Sequence, residues 1–332
     1  RRYLGNKFKL ISSINDLVKK KCGNYSSFVD LFSGTGVIAD NFNESNVQII
    51  TNDILYSNYL ISKCFFGTKK ISKSLKKKIQ LLNSIKNNKP NYFSKHFGGK
   101  YFTKKNAIKI GAIRDKIDKI SNNSEEKFIL ITSLIYAADR VANTVGHYDA
   151  YREKLDTRGK LELLMPNIDF SKNKNNKVYC VDSNILANEI KSDVVYIDPP
   201  YNSRQYSDTY HLLDNLALWK KPEVFGKAKK MDRSHIKSKY CSKDAVLEFQ
   251  DLITKLNTKH VIVSYNNTEN TKHGRSNAKI SFNQIKNILM KKGKTEINQI
   301  DFKAFTAGKS KTENHKEILF YCRVKWIKNL KK

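Results

Sequence analysis

Apolar and β-branched residues gather into short runs at 26–32 (SSFVDLF), 47–53 (VQIITND), 178–182 (VYCVD), 193–198 (DVVYID) and 260–265 (HVIVSY). Each run has the length of a strand and is nearly continuous rather than alternating, the pattern of a strand covered on both faces. Stretches with helical spacing lie between several of them, among them GVIADNFNES and AVLEFQDLITKL. This alternation predicts an α/β fold built on a parallel sheet. The last two runs, TEINQIDFKAF and KEILFYCRVKWI, have no helical stretch between them. They predict an antiparallel hairpin closing one sheet edge.

The alternation stops between residues 67 and 174. Within that span, 125–155 (EEKFILITSLIYAADRVANTVGHYDAYREKL) predicts one long helix whose second half turns polar and aromatic. SKNKNNK at 171–177 reads as a solvated connector. The predicted organisation is one α/β domain, residues 1–66 and 175–332, interrupted by a basic, mainly helical insert, residues 67–174.

Charge changes the picture. A net charge of +31 implies a polyanionic partner, nucleic acid first among them, although a Lys-, Asn- and Ile-rich composition accounts for part of the excess. Residues 63–120 hold 17 Lys and Arg against 2 Asp and Glu, so nearly half the excess falls there. Cys22, Cys64, Cys180, Cys241 and Cys322 are scattered without metal-type spacing, which points to free thiols in a reducing cytosol and to no metal site. No run approaches the ~18–20 apolar residues of a membrane span and no signal peptide opens the chain, so a cytoplasmic protein is expected.

Two stretches carry candidate chemistry. FVDLFSGTGVIADNF sets Asp30, then Gly34 and Gly36, between a strand and a helix, where glycines permit a tight turn and close approach of a ligand. Asp53 ends the next strand about 20 residues on, where an acid can bond ribose hydroxyls. There is no third glycine and no phosphate-loop lysine, which suits an adenosine-containing ligand without phosphates; a strand, glycine turn and helix also occur in many unrelated folds. The second stretch is DPPYNSRQY at 198–206, which leaves the apolar SDVVYI run directly. Two prolines exclude a helix interior or a central strand. An acid, a rigid backbone and an aromatic face suit a planar, amino-bearing base that stacks on Tyr201 and donates to Asp198 and the Pro199 carbonyl. A plain Asp-Pro-Pro turn with an incidental tyrosine is the alternative.

Taken in order, RRYLGNK, DLFSGTG, the Asn-Asp pair at 52–53, DPPYNSRQY and VIVSYN resemble the Dam-type N6-adenine DNA methyltransferases, nearest to type II modification methylases with a DPPYNxRQY motif. The likeness covers about residues 1–66 and 175–330. It implies a Rossmann-like, S-adenosylmethionine-dependent methyltransferase sheet, with residues 67–174 as the target-recognition insert. By position, Tyr3, Gly5 and Lys7 would pack on the cofactor, and Asp30, Phe32, Ser33, Gly34 and Gly36 would surround its methionine moiety. Asp53 would hold its ribose and Asp182 its adenine, leaving Asp198, Pro199, Pro200 and Tyr201 as the catalytic tetrad. The implied reaction is methyl transfer to N6 of an adenine flipped out of duplex DNA, without metal, by the monomeric modification enzyme of a restriction-modification system whose endonuclease acts separately.

In the insert, DRVANTVGHYDAYREK (139–154) concentrates Arg140, Asn143, His147, Tyr148, Tyr151 and Arg152. Arg and Asn are the side chains that read G and A in the major groove, though a polar helix end or a cleft-lining helix would look the same. Arg204 and Gln205 could reach the strand near the flipped base, and 220–241 reads as a basic loop that orders on DNA phosphates. The rivals are an rRNA base methyltransferase, since DPPY also occurs there, and a DNA-binding homologue without catalysis. The Tyr-Leu-Gly-Asn-Lys start and the large insert argue against the first, and the intact Gly34, Gly36, Asp53 and Asp198 against the second.

Overall fold

The computed structural model describes residues 3–157, 159–266, 278–301 and 316–325. Its strands are β1 (Ser27–Asp30), β2 (Gln48–Asn52), β3 (Lys177–Tyr179), β4 (Lys191–Ile197), β5 (Asn257–Asn266), β6 (Gly293–Asp301) and β7 (Lys316–Val324). Contacts divide the chain into two compact units, one of residues 1–6, 55–180 and 206–236, the other of residues 7–54, 181–205 and 237–332.

The second unit carries the sheet, in the order β2-β1-β4-β5-β7-β6. β1 pairs in parallel with β2 and β4, and β4 in parallel with β5. The apolar runs become its centre: Phe28, Val29, Ile49, Val194, Val195, Ile197, Val261, Ile262 and Val263 are almost wholly buried. Each such side chain contributes roughly 1.5–3 kcal/mol through removal from water. The expected hairpin is present, with a definite register. β7 inserts beside β5, antiparallel, with Val263 opposite Phe320 and Asn266 opposite Glu317, and β6 forms the outer edge. Residues 302–305 and 326–327 of the two predicted runs lie outside the described residues.

The first unit is mainly helical, with helices Tyr56–Ser62, Leu75–Ser84, Tyr92–Phe97, Lys104–Ile120, Ser124–Val141 and His211–Leu218. Ser124–Val141 starts where the side chain of Asn123 accepts from the Glu126 N–H, with Glu125 and Glu126 in the first turn complementing the helix dipole. It ends at Val141, well before the predicted 155. The following Ala142 is extended, and Gly146 takes φ +101°, which a continuing helix cannot accommodate. The buried Arg114 of Lys104–Ile120 donates to the carbonyls of Leu216 (2.9 Å) and Ala217 (3.1 Å) and pairs with Asp118 at 2.9 Å. It thereby supplies donors to the last turn of His211–Leu218, whose carbonyls have no partner within their own helix. Among the described residues no helix is long and apolar enough to cross a membrane.

Candidate active site

β1, β2, β4 and β5 point the same way, so their carboxyl ends share one edge of the second unit. The chain steps from β1 to β2 on one side and from β4 to β5 on the other, so the strand order reverses between the neighbours β1 and β4. Connections diverge at such a point and leave a crevice where ligands of open sheets bind. Asp30 is the last residue of β1, and Asp198 follows β4 directly.

One buried cation serves two acids here. The Nζ of Lys7 lies 3.3 Å from Asp198 Oδ1 and 3.2 Å from Glu317 Oε2, with Lys7 4% and Glu317 5% exposed. Removal from water pulls the Lys7 ammonium down, but the Asp198 and Glu317 carboxylates outweigh it, so Lys7 stays charged, held well above its usual range. Burial pushes Asp198 up to about 6; Lys7 opposes that shift and Glu317 adds to it. Asp30, deeper, is pushed to about 8, first by burial and then by the charge of Asp198. At neutral pH Asp198 is thus mostly ionised and Asp30 mostly neutral. Asp198 keeps 17% of its side chain exposed, while Oδ1, the oxygen beside Lys7, is itself buried.

The rest of the loop is fixed by backbone restriction and by its neighbours. Pro199 and Pro200 hold φ and donate nothing. The Tyr201 carbonyl accepts from the Lys279 N–H at 2.7 Å and from the Tyr265 hydroxyl at 3.5 Å. The rings of Tyr201 and Tyr265 meet edge to face at 5.8 Å, the Asn266 side chain bonds Tyr201, and Lys7 Nζ lies 5.7 Å from the Tyr201 ring centre. Beyond it Arg204 is exposed, and Gln205 bonds the backbone of Ser238 through both ends of its amide.

On the neighbouring strands the glycine turn forms as expected. Gly34 and Gly36 take φ +51° and +76°, and Gly36 caps the short helix Val37–Asn41. Asp53 Oδ2 accepts from the Gly34 N–H at 2.9 Å. Ser33 bonds the Asn52 carbonyl through both N–H and hydroxyl, and Phe32 packs edge-on against Tyr240 at 5.3 Å. Asp182 caps the helix Ser183–Glu189 through Asn184 N at 2.8 Å and remains exposed. Asp30 Oδ1 is buried and has no hydrogen-bond partner among the described residues. A positive-φ turn, acids at the ends of three neighbouring elements and a buried acceptor with spare capacity fit a nucleoside that carries an amino-acid arm, such as S-adenosylmethionine.

The remaining predicted residues belong to the first unit. Tyr3 stacks on Tyr210 at 4.4 Å and on Tyr206 at 5.6 Å, the Leu4 N–H donates to the Tyr210 hydroxyl, and Gly5 takes φ +73°. Of the Tyr-x-Gly-x-Lys start, Lys7 alone lies in the second unit. Arg140 and Arg152 are exposed and His147 is half-buried. Asn143 and Tyr148 are buried: Asn143 donates to the Lys100 and Arg152 carbonyls and accepts from Asp156 N–H, while the Tyr148 hydroxyl donates to Asp139 at 2.8 Å. These two bind protein, not solvent. In the basic segment at 220–241, Phe225 and Lys230 exchange backbone hydrogen bonds, and Lys230 and Arg233 pair with Asp149 and Asp208. Glu317, Asn266 and Lys279 complete the site without having been anticipated. A lone acid opening the apolar KEILFYC run was the available signal for Glu317.

A family profile described as D12 class N6 adenine-specific DNA methyltransferase matches residues 3–267. Among individual proteins, the type II methyltransferase M.NlaIII of Neisseria lactamica is 31% identical over 95% of both chains. The modification methylase StsI of Streptococcus sanguinis is 32% identical over 98% of this chain and 52% of its own length. The type II methyltransferase M.FokI of Planomicrobium okeanokoites is 33% identical over 96% of this chain and 52% of its own. The chain thus spans nearly the whole of the first relative and about half of the other two.

Proposed function

This chain belongs to the D12 class of N6 adenine-specific DNA methyltransferases, and from that premise we propose the finer reading. It methylates N6 of a flipped-out adenine at a fixed duplex sequence, using S-adenosylmethionine, as the monomeric modification enzyme of a restriction-modification system with a separate endonuclease. One observation carries this reading: an ionisable, partly open carboxylate, Asp198, sits at the strand-order reversal beside a braced tyrosine.

Bound S-adenosylmethionine supplies a methyl carbon on a sulfonium, already primed for displacement. Asp30, Phe32, Ser33, Gly34, Gly36 and Asp53 would hold it, with Asp182 at its adenine; the family likeness alone adds Tyr3, Gly5 and Lys7 to the residues that would pack on it. The protein's own work is on the acceptor. The lone pair of an adenine amine is spread into the ring, and hydrogen bonds to ionised Asp198 and the Pro199 carbonyl favour a more tetrahedral, more nucleophilic nitrogen. The Tyr201 face offers stacking of about 1–3 kcal/mol against the few kcal/mol that flipping costs. Pro200 keeps the tetrad from relaxing.

Residues 67–174 would form the target-recognition insert on the catalytic domain of residues 1–66 and 175–332. Exposed Arg140, Arg152 and Arg204, with His147 and Gln205, are the proposed DNA contacts; buried Asn143 and Tyr148 would act through the shape of their segment. Tritiated methyl transfer, with duplex oligonucleotides and rRNA fragments in competition, tests the whole reading. Label on duplex N6-methyladenine is expected, and label only on RNA would overturn it. Asp198→Ala should lower transfer at least about a thousandfold while DNA affinity in a gel shift stays within about threefold, since an interaction made only in the transition state is lost.

A further inference from the structure

We infer that Glu317 is a positioning residue for the methyl-acceptor site: it keeps hold of the Lys7 ammonium while Asp198 exchanges its ion pair for a hydrogen bond from the adenine amine. The inference rests on the reading of Asp198 as the amine acceptor. It concerns a residue beyond the matched span of 3–267, in the last strand of the sheet.

The geometry poses a competition. Lys7 Nζ is shared between Asp198 Oδ1 at 3.3 Å and Glu317 at 3.2 Å; Oδ1 is buried, so the cation draws from within on the charge of the same carboxylate that an amine would approach from its exposed side. For the amine to bond Asp198 well, Lys7 must loosen its grip there. A lysine buried to this degree cannot simply be released, because an unpaired interior charge is far costlier than a paired one. Glu317 provides the second anion that makes the exchange cheap. It is held rigidly for that purpose: its backbone is paired on one side with Asn266 of β5 and on the other with Ile300 of β6. Asn266, its partner across the ladder, also bonds Tyr201, so one rung supports both the acid and the stacking face of the loop. The second carboxylate has another consequence. The charged groups coupled to Asp198 are Lys7 and Glu317, with Asp30 and Tyr196 beneath it, Tyr201 beside it, and Asp53 acting on Asp30. With one cation for two anions, Glu317 also disfavours ionisation of Asp198.

The test is Glu317→Gln, assayed for kcat, KM and their pH dependence on the duplex identified by the transfer experiment. With Glu317 neutral, Lys7 closes on Asp198. The expected result is a kcat lower by about tenfold, DNA affinity within about twofold of the parent, and an acid limb displaced to lower pH, because Asp198 then ionises more easily. A merely structural glutamate would lower activity equally at every pH and leave the limb in place. In a Lys7→Met background, adding Glu317→Gln should cause no further loss of kcat, since the residue acts through Lys7. That neutral double variant also serves if the single variant does not fold. A folded Glu317→Gln protein with parental kcat and an unmoved acid limb would overturn the inference, as would a loss of kcat on adding Glu317→Gln to Lys7→Met. If Asp198→Ala retains transfer, the underlying reading fails instead; if that variant is inactive while Glu317→Gln behaves as the parent, only the role of Glu317 is lost.

Discussion

Asp198 and Asp30 are acids of the same type on adjacent strands, and their surroundings give them different work. Burial drives both upward, but Lys7 restrains Asp198 at about 6, while Asp30, without such a cation, reaches about 8. On the proposed reading, the ionised form of Asp198 is the one that accepts from the amine. The sign is therefore fixed: kcat/KM should fall about tenfold per pH unit below about 6 and be unaffected by this group above it. Initial rates between acid and neutral pH, in a buffer series of constant ionic strength, check this. An acid limb lying in the ordinary carboxylate range would show that burial does not set this pKa.

At the scale of elements, β1, β4 and β5 were legible from their apolar runs because each lies between neighbours of a buried sheet, and burial on both faces leaves no alternation to misread. The helix expected over 125–155 was not, since its second half is shaped by distant partners. Asn143 reaches Lys100 and Arg152, and Tyr148 reaches Asp139, contacts that no local periodicity encodes. The Arg-Asn-His-Tyr richness there looked like a reading surface, yet Asn143 and Tyr148 face inward. Asn143→Ala should consequently lower stability by about 1–3 kcal/mol, through the buried carbonyls and N–H it leaves unpaired. Thermal unfolding is the measurement, and the recognised DNA sequence should not change. A specificity change at unaltered stability would restore Asn143 to the DNA surface.

Over the whole molecule, charge sets the terms of encounter. A net +31 must release counterions from a nucleic acid partner, and each phosphate neutralised steepens the salt dependence by about −0.9 in the log–log slope. Affinity for duplex should accordingly fall by about a thousandfold or more between roughly 50 and 200 mM salt if six or more phosphates are engaged. Fluorescence anisotropy across a salt series measures it; a nearly flat response would mean that the lysine excess is compositional. Within the first unit some cations are already engaged by acids of the chain: Lys230 and Arg233 pair with Asp149 and Asp208.

By itself the sequence determined the alternating α/β fold, the edge hairpin, the glycine turn and the rigid loop from Asp198 to Tyr201, because each depends on neighbouring residues whose conformational limits are local. Tertiary structure alone decided which charges share the site. Lys7 and Glu317 are 310 positions apart and meet only because β7 inserts beside β5, with Glu317 opposite Asn266. The electrostatic state of Asp198 follows from that meeting: ionisation of a buried acid depends on which charges the fold gathers around it, and not on its neighbours along the chain.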